Sequence, residues 1–181
     1  MQLTPHFSLS EFTASDTAIR MGIDNEPNSD VISELIKLAE VMELVRAELN
    51  SVVPGTRINV TSGYRCEKLE RVLTQKDYAA WCLRRKVEQT PESWQVYFDR
   101  KAHPKGHGCD FGAPAFGDPL SIVRTIAAKP HIMKHIDQII VEGVTQNSYG
   151  WVHIGISDNP RGQVMTATFK DGTPTYTQGS A

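Results

Sequence analysis

Hydrophobic and polar positions follow three different rhythms along the chain. From Ser29 the apolar residues Val31, Leu35, Leu38, Met42, Val45 and Leu49 recur at helical spacing, with Glu34, Lys37, Glu40, Glu43 and Arg46 on the opposite face. Ser29 suits the N-cap, Asp30 sits where the helix dipole favours an anion, and Asn50 to Gly55 ends the helix. Residues 67–89 keep a second helical stripe of Leu69, Val72, Leu73, Ala79, Ala80, Leu83 and Val87. Thr90-Pro91 then starts a short helix holding Trp94, Tyr97 and Phe98, and residues 119–128 are helical by pattern. Elsewhere the period drops to two. Strands are predicted over Arg57–Thr61, Cys109–Phe111, Asp137–Glu142, Trp151–Ser157 and Gln163–Phe169. Residues 1–27 read as irregular chain with a capped turn near Ser8–Phe12, and the tail after Lys170 reads as loose. Helices early and a mostly antiparallel sheet late make an α+β domain spanning 1–181, with a helical insertion around 67–98.

Composition narrows the classes of function. The chain has 181 residues, 40% hydrophobic and 22% charged, enough to bury a core as one domain. A formal charge of −2 argues against a protein that coats nucleic acid through wholesale basicity. No apolar run approaches the ~20 residues that span a bilayer. Met1–Phe7 shows no secretory pattern, so the expectation is synthesis in a cytoplasm and action after release. Cys66, Cys82 and Cys109 lack CxxC spacing and read as reduced thiols.

The candidate chemistry sits in three places. His103 and Asp110 flank a turn containing Gly106 and Gly108, and imidazole and carboxylate are both good zinc ligands. Surface-loop residues with no shared role are the plainer reading of these two alone. Along 151–157, alternation sends Val152, Ile154 and Ile156 to the core, so His153 points the other way beside Trp151. If Glu142 lies opposite Trp151 in an antiparallel pair, Ile140 lies opposite His153. Glu142, Trp151 and His153 then share a face, and Glu142 can act as general base. A one-residue slip sends Glu142 to the other face. Arg65, after Ser62-Gly63-Tyr64, can grip a carboxylate or an oxyanion, and a plain surface arginine is the alternative. Cys109 on its strand faces away from Asp110 and reads as a small buried apolar residue. His107 reads as exposed loop.

The ordered set Thr61-Ser62-Gly63-Tyr64-Arg65, His103-x-x-Gly106-x-x-x-Asp110 and Trp151-Val152-His153 resembles the zinc D-alanyl-D-alanine carboxypeptidases and L-alanyl-D-glutamate endopeptidases, which share their fold with the hedgehog signalling domain. The short bacterial and bacteriophage members are the most similar, and the likeness runs over most of residues 7–169. The resemblance implies zinc on His103, Asp110 and His153, on one face of an antiparallel sheet with helices on the other. It implies Arg65 binding and polarising substrate, with Ser62, Tyr64 and Trp151 as further substrate contacts. The substrate is then a peptidoglycan stem peptide, and the setting phage lysis or entry, with other virion proteins as candidate partners. Many members carry an acidic base three residues before the last histidine, where this chain has Gly150. Either Glu142 supplies that carboxylate or the base is missing. The competing reading is a non-catalytic virion or wall-binding protein that keeps the fold. A metal site kept for stability alone, its fourth position closed by His107, is the third.

Overall fold

The computed structural model describes residues 1–170 and 173–179. The chain opens with a small antiparallel pair, β1 (Gln2–Thr4) and β2 (Phe7–Ser8), and two short helices, α1 (Leu9–Thr13) and α2 (Asp16–Met21). Both helices carry start signals of their own. Ser8 and Glu11 form a capping box at α1, and the Ser15 hydroxyl accepts the Ala18 N–H at α2, which Gly22 closes in the left-handed region. Residues 1–27 are thus more regular than the sequence pattern suggested, because a single capped turn is too short to show a period.

The main helix, α3, runs Ser29–Val52. Its cap is Asn28, whose side-chain oxygen accepts the Val31 N–H at 2.9 Å, one residue earlier than expected. Leu35, Leu38, Met42, Val45 and Leu49 on its inner face are fully buried. They pack on one face of a six-stranded sheet ordered β3-β4-β6-β5-β7-β8. The strands are β3 (Asn59–Ser62), β4 (Gly108–Gly112), β5 (Gln138–Glu142), β6 (Trp151–Gly155), β7 (Gln163–Lys170) and β8 (Thr173–Gln178). Two short helices, α7 (Pro119–Ala127) and α8 (Pro130–Met133), supply Ile122, Val123, Ile126 and Ile132 to the same core.

The sheet is mostly antiparallel, as the sequence predicts, and two of its features go beyond that reading. Every pairing is antiparallel except β5 with β7, which is parallel. The turn-rich link after β6 does not fold β7 back on β6. It crosses the start of β5, where the Gly162 N–H meets the Ile136 carbonyl and Arg161 pairs with Asp137. The tail is not loose either. Thr173–Gln178 forms β8 against β7, as its threonines and Tyr176 favour. Residues 171, 172, 180 and 181 of that tail lie outside the described residues.

The expected insertion is three helices, α4 (Glu67–Leu73), α5 (Gln75–Arg85) and α6 (Pro91–Phe98). Thr90 caps α6, accepting the Ser93 N–H. The stripe predicted over 67–89 is only partly right. Leu69 is buried, but Leu83 is 81% exposed and Val72, Leu73 and Val87 also face solvent. Tyr78, Trp81 and Cys82 turn inward, closing a second core with Trp94 and Tyr97. Aromatic rings bury more area than Leu or Val, so they set the rotation of α5. The insertion is therefore added core, and it stands on the opposite side of the sheet from α3, with α5 touching β8.

Candidate metal centre

Alternation along β4, β5 and β6 puts one set of residues in the α3 core and the other set in a groove. Asp110 pairs with His153 across β4 and β6, Ile140 pairs with His153 across β5 and β6, and Glu142 pairs with Trp151. Cross-strand partners share a face, so Asp110, His153, Trp151 and Glu142 point the same way. Neighbouring Cys109, Phe111, Val141, Val152 and Ile154 point into the core. Cys109 is the buried thiol expected, its pKa pushed up by burial and then by Asp110. None of the three cysteines is paired.

His103 arrives from a 3-10 turn, His103–Lys105, just before β4. Gly106 ends the turn with a positive φ of 71°. A β-carbon there would also meet the Val31 carbonyl at 2.9 Å, so only glycine lets the turn lie against α3. The His103 Nδ1 donates to the Gly63 carbonyl at 2.6 Å. A carbonyl only accepts, so the proton sits on Nδ1 and the Nε2 lone pair faces Asp110 Oδ1, 3.4 Å away. His153 Nδ1 lies 2.8 Å from the same oxygen. One ligand atom from each of His103, Asp110 and His153 falls within 4.8 Å of the others. All three residues are only 7% exposed. Gly108 keeps space for this packing, because a β-carbon there would lie 3.1 Å from His153 Cε1.

The electrostatics are those of a buried anion held between potential cations. Burial by itself would raise the Asp110 carboxyl, but His103 and His153 hold it well below the usual carboxylate range. Burial pushes His103 down, and Arg65 adds to that against the pull of Asp110. Burial acts on His153 in the same sense, yet Asp110 and then Glu142 outweigh it and raise the imidazole. Glu142 lies above its ordinary value, chiefly because burial disfavours its charge. Two imidazoles and a carboxylate form a donor set suited to zinc, with second-sphere bonds already in place from Gly63 and Arg65.

The remaining sequence candidates separate. Arg65 lies in the groove but is not free. Its Nε donates to Ser62 Oγ at 2.9 Å, its Nη2 to Asp110 Oδ2 at 2.8 Å, and its Nη1 stands 3.5 Å from Glu70 Oε2. Its acidic partners come from α4 and β4 and not from the N-terminal segment, where Glu11 caps α1. Ser62 acts here as acceptor for Arg65. Tyr64 is half-buried against the α3 core and lies outside the groove lining, which conflicts with the substrate contact expected of it. Its position follows from the backbone, since the Tyr64 N–H binds the Phe12 carbonyl at 2.7 Å. Trp151 does line the groove, and its indole N–H donates to Glu142 Oε2 at 3.1 Å. His107 is half-buried, not exposed, and its Nε2 meets Glu34 Oε2 on α3 at 3.1 Å. A fourth ligand from His107 does not fit that placement.

Gly150 has a physical reason. Its φ is +72°, and a β-carbon there would fall 2.2 Å from the Glu142 carbonyl oxygen. No acidic side chain fits at that position in this backbone. The carboxylate that does face the group comes from Glu142 on the next strand. Sequence reading missed the Gly63 carbonyl and Glu70. Backbone acceptors leave no residue-type signal, and a glutamate in a helix ordinarily reads as solvated surface.

The groove encloses about 1210 Å³. Its floor is β4, β6 and β5, one side is lined from the insertion by Glu70, Asp77, Trp81 and Tyr97, and the other by Met165, Phe169 and Tyr176. That is ample for an extended peptide. Among the described residues no helix is long and apolar enough to cross a membrane.

A family model described as Peptidase M15 matches residues 5–74. No curated protein matches the chain. The matched stretch contains Ser62, Arg65 and Glu70 and stops before His103. The metal-binding group is therefore a separate line of support, coming from the geometry of residues outside the match. Peptidases of this family are zinc-dependent.

Proposed function

We infer that this chain is a zinc metallopeptidase of the M15 peptidase family, a reading supported by that match and by the His103–Asp110–His153 group, and that it cleaves amide bonds in the stem peptides of bacterial peptidoglycan. The observation that carries the reading is the convergence of those three donors with Glu142 on one floor of a peptide-sized groove. Zinc in such a group lowers the pKa of a bound water and polarises a carbonyl.

The chain's own residues supply the rest. Glu142, raised by burial, takes a proton from the attacking water and returns it to the leaving amine. Trp151 holds one of its oxygens and so fixes which oxygen faces the floor. Arg65 uses three N–H directions on Ser62, Asp110 and Glu70, which leaves the outer N–H groups of its fork for a substrate carbonyl. Walls from the insertion and from β7–β8 flank the floor, so that a peptide lying between them would displace water from it. We place its work at the bacterial wall, reached from a lysing cell or a virion of phage origin. D,D-carboxypeptidase and L-alanyl-D-glutamate endopeptidase are the two specificities we propose for it.

The test is metal analysis of purified protein followed by digestion of muropeptides, read by product mass. One zinc per chain is expected, with either loss of a terminal D-alanine or a cut next to L-alanine. A zinc-loaded protein that leaves muropeptides of every common stem composition intact overturns the reading in favour of a binding module.

A further inference from the structure

The helix that follows Arg65 carries a carboxylate for which hydrolysis has no direct use. Glu70 on α4 is 1% exposed, and its Oε2 makes no hydrogen bond. Its ion-pair partner is Arg65, at 3.5 Å from Nη1. The same guanidinium gives Nη2 to Asp110 Oδ2 at 2.8 Å. One planar cation thus stands between two buried carboxylates, and one of the two belongs to the metal-binding group. Arginine suits this place because its fork offers separate N–H groups in fixed directions, where lysine offers a single point charge.

A buried carboxylate is unfavourable unless something uses its charge. A purely structural pair would be expected to close into two short bonds. Here the contact is long and one oxygen stays unbonded, so Glu70 acts on Arg65 by its field more than by a hydrogen bond. That field has a definite sense. It draws part of the guanidinium's pull away from Asp110, leaving that carboxylate a better donor. It also adds negative charge, in a poorly screened region, to the surroundings of a dication.

We propose that Glu70 is a positioning residue that acts through Arg65 to set how tightly Asp110, and with it the His103–Asp110–His153 group, holds a divalent metal. The proposal rests on the metallopeptidase reading for the identity of that group and adds the insertion's first helix to its supporting shell.

The test titrates metal-free protein with Zn²⁺ alone against a chromophoric chelator. Glu70→Gln keeps the shape and removes the charge, and a loss of zinc affinity of about tenfold or more is expected. Glu70→Asp keeps the charge, and affinity within about threefold of wild type is expected. If Glu70 merely ties α4 to the sheet, both variants lower the melting temperature and leave the zinc dissociation constant unchanged, which overturns the proposal. Equal loss in both variants overturns it too, since charge would then not be the agent. Should Glu70→Gln not fold, Glu70→Met suits a fully buried position and the same loss is expected; wild-type affinity there is again a refutation. Wild-type protein that binds no zinc removes the metallopeptidase reading itself, and the relay with it. Wild type that binds zinc beside an unaffected Glu70→Gln removes the relay alone.

Discussion

On one face of β4, β5 and β6, Cys109, Phe111, Ile139, Val141, Val152 and Ile154 are buried among the side chains of α3 and α7. On the other face of the same strands, Asp110, Glu142 and His153 are buried almost as deeply. Depth is thus nearly the same, and the energetics are opposite. Each large side chain on the apolar face contributes about 1.5–3 kcal/mol by leaving water. Each charged or polar group on the groove face loses hydration, and recovers it only through a named partner: Arg65 for Asp110, Gly63 for His103, Trp151 for Glu142. The apolar face holds the fold, and the groove face is held by it. A strand backbone that cannot shift register is what lets the second face stay poised.

The sharpest way to separate the faces is to cut each in turn. His153→Ala should abolish stoichiometric zinc binding and reduce hydrolysis to background, while the far-ultraviolet spectrum keeps its native shape; equilibrium dialysis against zinc checks it. Glu142→Gln should bind zinc as wild type and turn over about 10²–10⁴-fold more slowly. Unchanged turnover would remove Glu142 as the base. Ile154→Ala, on the opposite face one residue from His153, should cost ~2–5 kcal/mol in urea unfolding. Below its transition it should keep wild-type zinc affinity, and a large affinity loss there would mean the two faces are not separable.

The smallest effect tests the rim of the floor. Asp137 immediately precedes β5 and accepts the Arg161 Nε–H at 2.8 Å, and the hydrogen bond from that arginine holds the carboxyl below its usual range. A lowered folded-state pKa adds stability that is present above the unfolded value and disappears as pH falls through the folded one. Arg161 is more than half exposed, so solvent screens the pair and Arg161→Ala should cost less than ~1 kcal/mol at neutral pH. The gap between variant and wild type should close in acid. A gap that persists unchanged at acidic pH would assign Arg161 a packing role in place of a charge role.

Legibility in the sequence followed the size of the periodic signal. The α3 stripe, the capped start of α6 and the alternation around His153 could be read directly, but the register that places Glu142 opposite Trp151 was one of two that the alternation allowed, and only the strand pairing decides it. The rotation of α5 could not, because its aliphatic and aromatic residues define competing stripes and only packing against α6 decides between them. The parallel pairing of β7 was hidden in a link whose turn residues fit a hairpin equally well. At the site, residue type made His103, Asp110 and His153 candidates, and the family resemblance joined them into one ligand set. The Gly63 carbonyl and the Glu70 charge depend on where backbones meet, which no residue type announces. Arg65 was visible as a candidate but not as a residue already engaged on three sides.

The sheet has two open edges, β3 and β8, and each is blunted in its own way. The β3 edge is four residues long with a register irregularity against β4. The β8 edge carries Pro174, which withholds an N–H, and is otherwise mostly threonine with exposed polar ends. Bare strand edges recruit other strands, and both devices discourage that. Crowding at high protein concentration is where this matters. Replacing Pro174 and the neighbouring threonines with Val or Ile would leave the groove floor untouched while giving the molecule a sticky margin, so this protein's colloidal behaviour is written at the sheet's last strand and not at its centre.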